Sequence, residues 1–169
     1  FSCKLYVYPI EDSARFACLQ SRIHEPWARL LSSTMRNDLN YSASDCLATF
    51  PFPRADRMTR TSALEAAGAA LDSARAQFMR ATNQGLTQLY NRLKDPAYRG
   101  NGIGEIRRLR ALHEDLDRAT LEAYGWADIA VPPYDVDDES FREEIIDRLF
   151  ALNAERAREE IACGHSRKK

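Results

Sequence analysis

Apolar residues recur along this chain at two different spacings, and the change from one to the other marks the elements. Residues 4–10, Lys-Leu-Tyr-Val-Tyr-Pro-Ile, gather aromatic and β-branched types and predict a short strand. Asp12-Ser13 supply a helix cap. Beyond them Phe16, Leu19, Ile23, Trp27, Leu30 and Leu31 fall three or four residues apart, which predicts a helix. Pro26 lies inside that pattern and must kink the helix or reset it, because its ring removes a backbone donor and clashes with the preceding turn. A polar stretch follows, from Met35 onward, in which Ser44 can cap a single turn over Asp45–Thr49. Phe50-Pro-Phe-Pro53 then forbids helix, since each residue before a proline is pushed to extended geometry.

The second half is periodic throughout. Ser62-Ala-Leu-Glu65 fits a capping box. The stripe Leu64, Ala67, Leu71, Ala74, Phe78, Gly85, Leu86, Leu89, Leu93 predicts one long helix that stops before Asp95-Pro96. Its many alanines let a neighbour approach closely. A glycine-rich loop, residues 98–104, leads to a second helix over about Glu105–Tyr124, with Ile106, Leu109, Leu112, Leu116, Ala119 and Ala123 on one face and Gly125 as its C-terminal cap. Residues 129–135 read as an extended Pro-rich linker. A last helix over about Glu139–Ala162 turns Phe141, Ile145, Leu149 and Leu152 inward and closes at Gly164, with a fraying tail after it. The expected fold is mainly α: a small α/β N-terminal lobe, residues 1–53, followed by a helical domain, residues 54–169, built from a long helix and a helical hairpin or bundle.

Charge adds a direction to this picture. Over 169 residues the net charge is −1, which argues against indiscriminate nucleic-acid binding. Residues 1–60 carry 8 basic and 6 acidic groups, whereas residues 99–169 carry 12 and 16, so any phosphate contact is expected toward the N-terminal end. The basic groups are overwhelmingly Arg, which suits bidentate contacts, although a GC-rich genome produces the same bias. No apolar run reaches the ~20 residues of a membrane span. Four scattered cysteines without a C-x-x-C pair and three scattered histidines predict a reducing cytoplasm and no zinc site. The first residue is Phe1, inside an apolar stretch with no leader, and the expectation is a piece of a longer protein.

Candidate chemistry is sparse. Asp95-Pro-Ala-Tyr98 resembles the Asp/Asn-Pro-Pro-Tyr motif of amino-methyltransferases, but it lacks the second proline and follows an amphipathic helix, so a helix stop is expected. Gly100-Asn-Gly-Ile-Gly104 has the glycines of a phosphate cradle without a preceding strand or a following Lys-Ser/Thr pair, and reads as a loop between helices. His113-Glu114 has no second histidine at helical spacing and reads as a solvated face. No catalytic, cofactor-binding or metal-binding residue is assigned. The polar stretch differs. Arg36, Asn37, Asn40, Tyr41 and Ser42 suit hydrogen bonds to base edges and phosphates, and equally suit a surface loop whose Asn and Asp satisfy turns.

Residues 18–53 resemble the end of a target-recognition domain in large bacterial N6-adenine DNA methyltransferases, the type IIG restriction–modification enzymes and the related enzymes of the BREX and DISARM phage-defence systems. The residues that carry this are Leu19-Gln20-Ser21, His24 and Trp27, then Ser32-Ser33, Leu39, Tyr41, Ser44-Asp45-Cys46 and Phe50 to Pro53. Residues 86–96, 106–126 and 149–160 are similar, in the same order, to the helical tail of those proteins. The resemblance implies a parent enzyme that uses S-adenosylmethionine to methylate adenine in duplex DNA. It implies that this fragment, lacking the cofactor loop and a complete motif, is not an enzyme by itself. Its role is then target recognition, or a brace between that lobe and the catalytic methyltransferase domain of the parent. Arg36, Asn37, Asn40, Tyr41 and Ser42 are the candidate DNA contacts, Arg22 and Arg29 the candidate phosphate partners, and His24 and Trp27 packing residues. Phe50 and Phe52 are expected to pack under the sheet-bearing lobe as the prolines turn the chain out of it. The alternative is a helical interaction module that contacts only protein, with the alanine stripe forming a homodimer that charges at Leu71 or Phe78 dissociate.

Overall fold

The computed structural model describes residues 13–35, 38–54, 62–162 and 164. The expected strand over 4–10 and the tail after Gly164 lie outside them. The described chain is mainly α, as the periodicity predicts. Its elements are α1 (Ser13–Gln20), α2 (His24–Leu31), β1 (Ser33–Met35), β2 (Asp38–Asn40), a π-helical turn (Ala43–Leu47), α3 (Ser62–Thr82), α4 (Leu86–Lys94), α5 (Ile103–Tyr124) and α6 (Glu139–Ala162). No helix among the described residues is long and apolar enough to cross a membrane.

Of the two breaks in the helical pattern, one was expected. Pro26 resets the helix: α1 and α2 are separate, joined by a turn over 21–23. Pro26 occupies the first turn of α2, where its missing N–H costs no intrahelical bond. The long helix after Ser62 also divides, at Asn83–Gly85. Asn83 takes a left-handed φ of 52°, and Gly85 is extended at the N-terminus of α4. The apolar stripe runs through this break without a change of phase, which is why spacing alone conceals it. A two-stranded antiparallel hairpin, with Ser33 opposite Asn40, Thr34 opposite Leu39 and Met35 opposite Asp38, occupies part of the polar stretch read as a loop. The single turn after it starts at Ala43, so Ser42 and not Ser44 precedes it: the Ser42 hydroxyl accepts from Asp45 N at 3.4 Å, and the Ser42 carbonyl accepts from Cys46 N at 2.8 Å.

The termini of α5 and α6 fall where the sequence put them. Gly125 adopts φ 81°, Gly125 N bonds Glu122 O at 2.9 Å, and Trp126 N bonds Leu121 O at 2.8 Å, a Schellman pair that only a residue free to enter the left-handed region closes without strain. Asp138 caps α6 by accepting from Phe141 N at 2.9 Å.

Helix α5 is buried on two sides and organises the molecule. Its Ile106, Leu109, Leu116, Ala119 and Ala123 join Ala14, Ala17, Leu64, Leu71, Phe78, Leu89 and Leu93 in one apolar core. Its Leu121 and Tyr124 join Cys18, Ile23, Trp27, Phe50, Phe141, Ile145 and Leu149 in a second. Each fully buried leucine contributes on the order of 1.5–3 kcal/mol relative to exposure. Leu71 and Phe78 are thus covered inside the chain, at 0% and 5% exposure, and a charge at either disrupts the core rather than a homodimer contact. Phe50 and Phe52 pack among helices, not beneath a sheet: Phe50 lies 4.5 Å from the His24 ring and 5.0 Å from Phe52. Pro51 and Pro53 are buried beside them.

Helices α1 and α3 approach so closely that Gly68 has no room for a side chain. A Cβ there meets Ala17 Cβ at 2.6 Å. Gly68→Ala is therefore expected to destabilise the protein by about 1–3 kcal/mol through overpacking, although alanine is the better helix former by about 1 kcal/mol. Urea unfolding of the variant measures the sign.

Candidate nucleic-acid interface

The polar segment stands on a short, firmly anchored base. The turn between α1 and α2 is held locally by Ser21, whose hydroxyl donates to Cys18 O at 2.6 Å. Trp27 sinks into the second core at 1% exposure, donates from Nε1 to Thr49 Oγ1 at 3.2 Å and lies 5.2 Å from Phe150 of α6. Helix α2 thereby fixes the points at which the chain enters β1 and leaves the π-helical turn.

The seven candidate contacts separate into four groups. Arg36 and Asn37 lie outside the described residues; they are the two residues between Met35 and Asp38 in the chain, and those two face each other at the end of the hairpin ladder. Asn40 ends β2, with its backbone opposite Ser33. Tyr41 and Ser42 follow. Tyr41 Oη lies 3.0 Å from His24 Nε2, and Ser42 Oγ lies 2.8 Å from Ser44 Oγ. Arg29 is on α2 with its side chain 59% exposed, bonded to Glu25 one turn earlier at 2.7 Å. An exposed i, i+4 pair of this kind is worth only about 0.3–0.5 kcal/mol, so Arg29 can exchange it for another anion.

Arg22 is placed differently. Its Nε donates to Asp117 Oδ2 at 2.6 Å, its backbone N donates to Asp117 Oδ1 at 2.8 Å, and its terminal nitrogens donate to Pro133 O at 3.2 Å and Pro132 O at 2.7 Å. The guanidinium also lies over the rings of Tyr134 and Phe141, at 5.1 and 5.6 Å. With its side chain 10% exposed and Asp117 at 1%, this arginine is built into the interior. Burial raises the Asp117 carboxyl above its ordinary pKa, opposed by the charge and hydrogen bonds of Arg22.

The other ionisable groups near this surface are packing groups. Burial pushes His24 down to about 4 and His113 down to about 3, the latter aided by the charges of Arg75, Arg22 and Lys94. His113 is not on a solvated face. It stacks on Tyr134 at 4.2 Å, and Glu114 accepts from Tyr134 N at 2.9 Å. Burial also pushes the Cys18 thiol up to about 12, which leaves it protonated and unreactive at neutral pH. Among the described residues no group of three His, Cys, Asp or Glu is arranged to hold a metal ion. A cleft of about 650 Å³ beside Arg29 mixes Lys94 and Arg142 with Glu25, Asp135, Asp137 and Asp138, so it lacks the single sign of charge that concentrates phosphate.

Sequence reasoning missed Asp117 and Arg110. Both lie on a second face of α5 that is visible in retrospect: Ile106, Arg110, His113, Asp117, Leu121 and Tyr124 recur three or four residues apart. The polar types on that face hid its burial. Arg110 closes the C-terminus of α4, donating to Leu93 O at 3.0 Å and Asp95 O at 2.6 Å, and pairs with Asp135 at 2.8 Å. Asp95-Pro96 is accordingly a helix stop.

A helical body carrying a short hairpin on its N-terminal side is the class of structure this chain defines. Residues 1–54 match the family model described as MmeI, target recognition domain. Among solved structures, the chain is similar to the type IIL restriction–modification enzyme MmeI in complex with DNA, with 25% identity and a TM-score of 0.62 over 87% of this chain. It spans 16% of the length of that enzyme. A search of the curated proteins found no match. The resemblance to restriction–modification enzymes carrying a target-recognition domain therefore holds, in the N-terminal third by family model and over most of the chain by fold.

The two buried histidines predict an acid-sensitive fold. Their folded-state pKa values lie below the ordinary 6.5, so the unfolded chain binds more protons as pH falls below 6.5, and stability is lost from there down to about pH 4 for His24 and about pH 3 for His113. At pH 4.5 the loss is on the order of 2 kcal/mol per histidine. His113→Phe keeps the stacking on Tyr134 and removes the titration. Urea midpoints of that variant are expected to change less between pH 7 and pH 4.5 than those of the unaltered protein.

Proposed function

We propose that this chain is the distal end of a target-recognition domain with its helical brace, and that its hairpin side faces duplex DNA. The observation that carries this is the agreement between the family match over residues 1–54 and the structural likeness to a DNA-bound restriction–modification enzyme. The local chemistry supports it. The exposed cation of α2, Arg29, lies on the helix that feeds the hairpin, and Arg36, Asn37 and Asn40 belong to the same stretch of chain. A two-stranded ribbon is one of the shapes a major groove admits, and Arg and Asn are the residues that read guanine and adenine edges there. Arg22, already bonded to Asp117 and to two backbone carbonyls, has a structural part in this reading instead of a phosphate contact.

The parent protein, in this reading, is an S-adenosylmethionine-dependent adenine-N6 DNA methyltransferase of a bacterial restriction–modification or phage-defence system. The glycines at 100–104 lack the strand-to-helix setting of a phosphate cradle: they connect α4 to α5, and Gly102 precedes α5 with φ 79°. Cofactor binding and methyl transfer are accordingly assigned to other parts of the parent, and this segment to recognition.

Fluorescence anisotropy with a random-sequence duplex tests the reading. Binding is expected to weaken steeply as salt rises, and Arg36→Ala is expected to reduce the salt slope by about 1 if that side chain neutralises one phosphate. Absence of binding at low salt overturns DNA contact by this segment and leaves the protein-only interaction module.

A further inference from the structure

We propose that Asp117 and Arg22 are positioning residues for the recognition segment: they set the direction of α2, and through α2 the direction of the hairpin, without touching DNA. The inference rests on the proposed function for its DNA arm and on geometry for the rest.

The turn over 21–23 is where the chain changes direction between α1 and α2. Its only side-chain link to α5 among the described hydrogen bonds runs through Asp117, which accepts from both the backbone N and the Nε of Arg22. A bond to the backbone and a bond to the side chain of the same residue fix position and rotation together. The terminal nitrogens of Arg22 extend the link to the carbonyls of Pro132 and Pro133 in the segment leading to α6. The N-terminal end of α2 is thus tied to α5 and to the approach of α6 through one guanidinium. Its eight residues span about 12 Å at 1.5 Å per residue, so a tilt of about 10° at the turn moves the start of the hairpin by about 2 Å. Displacements of that size degrade a contact surface that needs its groups held within about 0.5 Å. Packing alone does not require a charge pair here. Apolar residues of similar volume generally fill such a site with equal or greater stability. What apolar residues lack is the directional, two-point attachment.

Three proteins test this: the unaltered chain, Asp117→Asn, and Arg22→Met/Asp117→Leu, in which no buried charge is left unpaired. Thermal unfolding checks the fold, and the double variant is expected to unfold within about 5 °C of the original. Residual dipolar couplings of the α2, β1 and β2 amides, measured against those of α5, report orientation directly. Both variants are expected to rotate α2 and the hairpin relative to α5 by about 10° or more, and to bind random-sequence duplex at least fivefold more weakly. The salt slope is expected to stay the same. Removing a buried carboxylate would by charge alone strengthen binding, so weakening by Asp117→Asn runs against simple electrostatics. Unchanged couplings overturn the proposal. So does a salt slope lowered by about 0.9 in the double variant together with tighter binding by Asp117→Asn, which would make Arg22 a phosphate contact. If the unaltered chain binds no DNA, the proposed function falls, and the couplings still decide whether the pair positions the hairpin.

Discussion

A buried carboxylate, Asp117, and a largely buried guanidinium, Arg22, meet where the turn after α1 lies against α5. Two such charges, each with an effective desolvation cost of several kcal/mol, persist in a protein interior only where their remaining donors and acceptors are satisfied. Asp117 receives the backbone and side-chain N–H groups of Arg22, and the rest of the guanidinium is taken up by the carbonyls of Pro132 and Pro133 and the faces of Tyr134 and Phe141. The same guanidinium bonds the proline-containing segment before α6, at Pro132 and Pro133, and Arg110 holds Asp135 two residues further on. Tyr134, between them, stacks on His113.

The rest of the architecture follows from α5, which carries Arg110 and the Asp117 that Arg22 reaches. One of its faces closes the core with α1, α3 and α4, and the other closes a smaller core with α2 and α6. The turn between α1 and α2 crosses from the first to the second: Ala14 and Ala17 lie in one, Cys18, Ile23 and Trp27 in the other. Phe50-Pro-Phe-Pro53 then seals the second core from the N-terminal side, with Phe52 touching both. His24 and Trp27 of α2 both meet Phe50, so the helix before the hairpin and the segment after it share one aromatic contact.

Much of this was legible in the chain. Helices α5 and α6 begin and end within two residues of the periodic stripes, because their ends carry explicit chemistry: Gly125 in the left-handed region, Asp138 as cap. The stop at Asp95-Pro96 was equally plain. The break at Asn83–Gly85 was not, since Leu89 and Leu93 continue the apolar phase of α3 across it. The hairpin at 33–40 was hidden by its three-residue strands, too short for alternation to register. Of the candidate interface, the location was readable and the individual roles were not: nothing in the spacing of Arg22 and Arg29 tells that one is interior and the other exposed.

The sequence by itself determined the helical class, the inward stripes, the caps and the likeness of residues 18–53 to a recognition segment, because each of these is written in neighbours within a turn or two of one another. Tertiary structure alone decided which polar residues are buried. Arg22 and Asp117 are 95 residues apart, Arg22 and Pro132 are 110 apart, and no local pattern can state that they meet. Whether a charge faces solvent, phosphate or another charge depends on what the rest of the chain places opposite it, and that is fixed only when the helices pack.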